Sequence, residues 1–275
     1  MKCIDFDRRF AAYLENWTNE NRDKYANMNE VEAQVPEVYM EWLNTPADWL
    51  GGTAPGDYFK PLSDPEALVK WMLDYHRSHI NVPDMLFERI VDVGEKCVEP
   101  LMNLAEDADK PDEARVAALN LLVEIGAPQV MGRVIALMCA RKQKPDLMEA
   151  ASELLKGMGE DVVEPLIKRA DGLTGEALES CLDILCNFPG DKRIYELLIR
   201  AFRQDGERRA LYASFLGKLG DEDAVEPLKA ALELSELNYL DYIEIVHAVE
   251  ALGGEVEKQR EFSGDEYYES LKHMQ

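Results

Sequence analysis

Histidine and cysteine are the scarce side chains that do chemistry in a chain like this one, which has four of the first and five of the second in 275 residues. His76 and His79 stand three apart in a helical stretch, with Asp74 two residues before the first, a spacing that puts both imidazoles on one helix face. Two nitrogens make half of a zinc site, and no third or fourth ligand follows nearby, so the pair reads as surface groups near a helix end and not as metal ligands. His247 stands alone and reads as a contact or pH-sensitive surface residue, not as an acid–base catalyst. Cys3, Cys97, Cys139, Cys181 and Cys186 form no C-x-x-C pair, and their odd number leaves one unpaired in any disulfide scheme. Cys181 and Cys186, five apart, face different sides of a helix and read as core. Reduced thiols of a cytoplasmic protein account for the set. No G-x-S-x-G, P-loop, dinucleotide-binding or H-E-x-x-H pattern occurs. No catalytic residue, metal or cofactor is therefore assigned, and the chain reads as a non-enzyme.

The elements that would position any site are helices in a repeating register. Helix-stop and helix-start signals recur at Gly94, Gly126, Gly159, Pro189, Gly220 and Gly253, in steps of 30 to 33 residues, with two helical runs in each interval. Such a period marks a helical repeat array. Glycine just past a helix end accommodates the left-handed turn, and the acidic residue after it suits the positive end of the next helix. The prolines of the three Glu-Pro-Leu copies, Pro100, Pro165 and Pro227, are expected near a helix start, where a missing amide donor matters little. The predicted pairs are Asp84–Val93 with Lys96–Asp107, Asp112–Ile125 with Pro128–Arg141, Asp146–Met158 with Asp161–Ala170, Glu176–Phe188 with Lys192–Arg203, and Glu207–Leu219 with Glu222–Leu234. Leu240–Leu252 then leads into a tail, with a short helix from Asp265 to His273.

Residues 1–82 differ in kind. They hold all four tryptophans, Trp17, Trp42, Trp49 and Trp71, and none of the repeat punctuation. Helical runs are expected at Asp5–Asn16, Val31–Leu43 and Asp64–His79, with a turn-rich aromatic loop from Leu43 to Phe59 between the last two. The division is thus an N-terminal helical capping segment (1–82), the repeats (83–252) and a C-terminal cap or tail (253–275).

The repeat features resemble the short HEAT-like repeats of phycobiliprotein lyases, whose pattern runs V-R-x-x-A-A-x-A-L-G-x-L-G-D-x-x-A-V-x-P-L. Phe215–Leu228 is the nearest copy, and the resemblance spans about positions 83–252. The pattern's arginine is present at Arg115 and Arg209 and replaced at Met148, Leu178 and Tyr242, so no continuous Asp/Arg ladder is expected. The resemblance implies an all-α fold, an α-solenoid wound as a right-handed superhelix, in which the second helix of each pair lines a concave face. Register on the terminal glycine or proline places Glu88, Asn120, Glu153, Asp183, Ser214 and His247 on that face, with Asp84, Glu149, Glu179 and Ile243 a turn earlier and Glu244 beside the last. The lining would be acidic through the first and middle repeats.

Net charge is −24, which disfavours nucleic acid and anionic membrane as partners and favours basic ones. The N-terminus MKCIDFDRRF is charged where a signal peptide needs an apolar run, and no apolar stretch approaches the roughly 18 residues of a membrane span. The sequence thus points to a cytoplasmic, non-catalytic protein–protein interaction scaffold that holds a basic or extended protein segment. Two other functions follow from resemblance: a HEAT-fold enzyme, lyase-like or glycosylase-like, and an antitoxin-like partner. The second rests on Leu43–Pro55, which resembles the LNTP…LGG…P segment of Xre-type antitoxins.

Overall fold

The repeat glycines turn the chain as expected: Gly94, Gly126, Gly159, Gly190, Gly220 and Gly253 all sit at positive φ. The computed structural model describes residues 3–140, 144–256 and 260–272. The predicted helix ends at Arg141 and His273 lie outside them. The helices are α1 (Phe6–Asn21), α2 (Met28–Glu32), α3 (Val35–Asn44), α4 (Pro65–Arg77), α5 (Asp84–Val93), α6 (Glu95–Glu106), α7 (Asp112–Ile125), α8 (Met131–Met138), α9 (Pro145–Lys156), α10 (Val163–Ala170), α11 (Glu176–Leu185), α12 (Lys192–Gln204), α13 (Arg209–Leu219), α14 (Val225–Leu232), α15 (Tyr239–Ala251) and α16 (Glu266–Lys272). Among the described residues one isolated bridge, Ala47 to Thr53, is the sole extended pairing. The fold is all-α, an α-solenoid of paired helices.

Several boundaries differ from expectation for local reasons. Helix α1 continues past Asn16 to Asn21, where the Asn21 side chain donates back to the Trp17 carbonyl at 2.8 Å. Helix α2 carries a signal the periodicity missed, a reciprocal cap: Asn27 accepts the Glu30 amide at 3.1 Å while the Glu30 carboxylate accepts the Ala26 amide at 3.0 Å. The second helices of three repeats open with a 3₁₀ turn, at Pro128–Val130, Gly159–Val162 and Glu222–Ala224. Pro165 and Pro227 therefore fall third in α10 and α14, as expected. Pro100 does not. Gly94, at φ 64 and ψ −128, leads straight into α6 without such a turn, so Pro100 lies in the helix interior and removes the bond its amide would make to Lys96.

The chain divides into two compact units, Met1–Val130 with Lys144–Ala150, and Met131–Gln143 with Ala151–Gln275. In the first, α5 packs on α7 and α4 on α6, giving two layers closed by α4·α5 and α6·α7 contacts. Leu86, Ile90, Leu101, Met102, Leu119 and Leu122 are buried between them. The Pro/Gly-rich loop Leu43–Phe59 turns its aromatics inward. Trp49, Tyr58 and Phe59 surround Phe6 at ring separations of 5.9, 5.7 and 6.0 Å, and Phe59 also meets Trp71 at 5.1 Å. Tyr75, fully buried on α4, ties down the start of the chain, accepting the Ile4 amide and donating to its carbonyl at 3.2 and 3.1 Å.

In the second unit α10 packs beside α12 and α13 beside α15, with α10·α11, α11·α12, α12·α13 and α14·α15 contacts between layers. Helix α12 shows why these segments are helical. Asp191 caps it, and Ile194, Leu197, Leu198, Ala201 and Phe202 recur at helical spacing to form its buried stripe. The tail anchors through Phe262, which is buried against Tyr242 and Tyr239 at 5.1 and 5.5 Å.

Candidate functional site

A groove of about 850 Å³ opens in the first unit where α1, α3, α5 and the end of α4 meet. Its floor is aromatic: Phe6 and Phe10 from α1, Tyr39 and Trp42 from α3, and Phe87 from α5. Phe10 stands edge-on to Tyr39 at 4.8 Å and tilted to Trp42 at 5.3 Å, while Tyr39 stacks on Trp42 at 5.8 Å. Three carboxylates, Asp7, Asp84 and Glu113, border these rings, against one guanidinium, Arg77. Asp7 accepts from the Asn81 amide at 2.8 Å, which fastens the α4–α5 connection to α1. The Tyr39 phenol is pushed up first by burial, then by the negative charge of Asp84, Asp7 and Glu88. Glu88 therefore acts on this same space.

His76 and His79 both line the groove, but differently. His76 is not the surface histidine the sequence suggested: it is half-buried, and its Nε2 is shielded from solvent with no hydrogen-bond partner among the described residues. Burial pushes its imidazole below the usual range, with the Glu113 carboxylate opposing. His79 is exposed and occupies the left-handed region at φ 52, ending α4 where glycine is the usual residue. Among the described residues no group of three or more His, Cys, Asp or Glu side chains is placed to hold a metal.

A pH dependence follows. The depressed His76 pKa means the unfolded chain takes up a proton more readily than the folded one, so this group's contribution is complete above about pH 6.5 and is lost as pH falls through the folded value. Tryptophan-monitored denaturant unfolding should show a lower midpoint near pH 5 than near pH 7.5, and His76→Gln should shrink the difference. An equal difference in the variant would reject His76 as its source.

A second depression, of about 460 Å³, lies alongside and shares Glu113. Asp112, Asn120 and Asp146 line it, with Lys144 as its cation. Of the residues expected on the concave face, Glu88, Asn120 and Glu149 belong to the first unit and are all exposed. Glu88 and Glu149 make no ion pair among the described residues. In the second unit the predicted carboxylates are engaged. Glu153 and Asp183, one repeat apart, both hold Lys156, at 3.3 and 2.9 Å. Glu179 holds Arg208 at 3.2 Å. Glu244 and His247 lie on α15, half-buried and exposed respectively, and no ion pair among the described residues joins them to the others.

These contacts belong to a lattice that sequence reasoning missed. Arg193 reaches Glu164 at 2.7 Å, Arg200 reaches Asp171 at 2.9 Å and Lys192 reaches Asp221 at 2.9 Å, each pair 29 residues apart like Arg208 and Glu179. Cations of one repeat thus meet carboxylates of its neighbour at nearly the repeat period. The pairs are mostly exposed, so each contributes little alone. The groove's aromatic floor was missed too. Its signal was the aromatic density of residues 1–82, which reads equally well as capping.

Among the described residues no helix is long and apolar enough to cross a membrane. Residues 213–233, from the second half of α13 through α14, match the PBS lyase HEAT-like repeat. No curated protein matches the chain.

Proposed function

We propose that this chain, a HEAT-like repeat protein by its matched repeat and its paired helices, is a cytoplasmic, non-catalytic scaffold that binds a basic, extended protein segment. The observation that carries the reading is the groove of the first unit, where an aromatic floor is bordered by Asp7, Asp84 and Glu113 with Glu88 close by. Aromatic faces attract cations and bury the stems of Lys and Arg, while carboxylates pair with their charged ends. The net charge of −24 adds a long-range pull on a basic partner. Asn120 lines the second depression with Glu113; Glu149 in the first unit, and Glu244 and His247 in the second, are further members of the proposed set. Glu153, Glu179 and Asp183 belong to the proposed set but also hold the repeats through Lys156 and Arg208, so reversing them would loosen the structure along with the site. Five free thiols suit a reducing compartment.

The test uses the groove carboxylates. A fluorescent Lys/Arg-rich peptide should bind the full chain with an affinity that falls as salt rises. Asp84→Lys, Glu88→Lys and Glu113→Lys together should weaken it by about tenfold or more, the scale of losing one well-placed charge contact. A control triple reversal at the exposed Glu196, Glu226 and Glu233 changes net charge equally. Equal weakening by both triples, or none by the first, would overturn the assignment of the groove.

A further inference from the structure

A pair of thiols stands together outside the groove, in the second unit. Cys139, in the turn that ends α8, and Cys181, on α11, are 42 residues apart in sequence, yet their Sγ atoms stand 3.9 Å from one another. Cys181 is fully buried and Cys139 only partly so. The guanidinium of Arg169, from the last turn of α10, lies beside the Cys139 sulfur. We propose that Cys139 and Cys181 form a peroxide-reactive dithiol, with Cys139 as the nucleophile and Cys181 as the thiol that resolves it into a disulfide.

The arrangement divides the two roles. The Cys181 S–H and the Arg169 guanidinium both stabilise a thiolate at Cys139, which lowers its pKa, whereas Cys181, holding the shared proton in a buried place, is driven far upward. The other thiols go the opposite way: burial pushes Cys97 and Cys186 up to about 11 and raises Cys3. A thiolate that solvent reaches, next to a positive charge and a second thiol, is the setting in which cysteine oxidation is selective.

The chemistry balances with hydrogen peroxide as the oxidant. The Cys139 thiolate attacks one peroxide oxygen, an S–O bond forms, the O–O bond breaks and the departing hydroxide takes a proton to leave as water. Cys139 is now a sulfenic acid, oxidised by two electrons. The Cys181 sulfur then attacks the Cys139 sulfur, an S–S bond forms, the S–O bond breaks and the leaving hydroxide receives the Cys181 proton. Two thiols and one peroxide thus become one disulfide and two waters. The sulfurs must close from 3.9 Å to the about 2.05 Å of a disulfide. A side-chain rotation at the partly exposed Cys139, outside the regular part of α8, supplies that movement. The bond would join the end of α8 to α11 within the second unit, and a cellular dithiol would reverse it by exchange.

The full chain is treated with hydrogen peroxide, remaining thiols are alkylated, and peptides are mapped by mass spectrometry. The expected product is an intramolecular Cys139–Cys181 disulfide with Cys97 and Cys186 still reduced. In Cys181→Ser, a dimedone adduct should collect at Cys139, because the resolving thiol is gone. The untreated wild type gives a reading that needs no variant. At neutral pH Cys139 should alkylate at least about tenfold faster than Cys97, as a thiolate does against a thiol of raised pKa, and Arg169→Gln should slow it. A disulfide between other cysteines, no disulfide in the folded chain, or a Cys139 alkylation rate equal to that of Cys97 would overturn the proposal.

Discussion

Arg115→Met should destabilise the first unit by about 2–4 kcal/mol, the loss that follows when a buried charged donor is taken from its partners. Arg115 is 4% exposed, donates from Nε to the Ala105 carbonyl at 2.9 Å and from Nη1 to Asp112 at 3.1 Å. Ala105 belongs to the last turn of α6, where carbonyls lack helical partners and the helix dipole is negative, and Asp112 opens α7. One guanidinium thus closes the turn between two packed helices. Methionine keeps the apolar stem but leaves that carbonyl without the Arg115 donor. Lysine should do little better, since a point charge on a flexible stem cannot fork to both acceptors. All four tryptophans belong to this unit, so fluorescence-monitored unfolding in denaturant reads it directly. A change under about 0.5 kcal/mol, typical of a surface site, would show that Arg115 is not the fastener described. Arg209 has the same repeat position but is half-buried and faces Asp241, whose carboxyl is raised by burial and pulled back by Arg209. Its loss should matter less.

The second large effect is expected where α13 crosses α15. A Cβ added to Gly217 would stand 3.1 Å from the Ala248 Cα and 3.3 Å from its Cβ. Two effects oppose each other in Gly217→Ala: alanine gains about 1 kcal/mol of helix propensity over glycine, and the tight contact takes back a similar amount. The result should be close to neutral. Gly217→Leu has no such offset. Its side chain has to part the two helices, and overpacking of a close contact costs about 1–3 kcal/mol and occasionally more. Ala248→Gly in the same chain should restore part of the loss, a coupling that a double-mutant cycle measured by circular dichroism would detect. Equal stability of Gly217→Leu and the parent chain would mean the helices do not meet there.

The fold was legible to the extent that its signals are local. Helices α5 and α7 begin and end where the residues predicted, because a terminal glycine, an acidic first turn and a helical apolar stripe all act within a few positions. The Asn27–Glu30 cap is equally local, but the helix that it opens spans only Met28–Glu32, too short to carry an apolar period. Pro100 shows the limit of analogy. Three copies of Glu-Pro-Leu share a spelling, but the turn before the first is made differently, and so the same proline falls deeper in its helix.

The candidate site was legible in its charge and not in its shape. Register placed Glu153 and Asp183 at matching positions one repeat apart, and in the structure both reach the same lysine. That lysine could not be foreseen, because which cation reaches across depends on how far neighbouring helices are offset. The aromatic floor has the same cause: Phe6, Tyr39, Trp42 and Phe87 come from three helices whose packing angles no periodicity encodes.

By itself the sequence determined an acidic, all-helical chain of paired helices with a repeat near thirty residues, since caps, turns and apolar stripes are written in neighbours along the chain. The tertiary structure alone decided that Cys139 meets Cys181, that His76 turns its Nε2 away from water, and that aromatics and carboxylates enclose one groove. Those are distances between residues that only packing brings together, and packing sums many weak contacts spread over the whole chain.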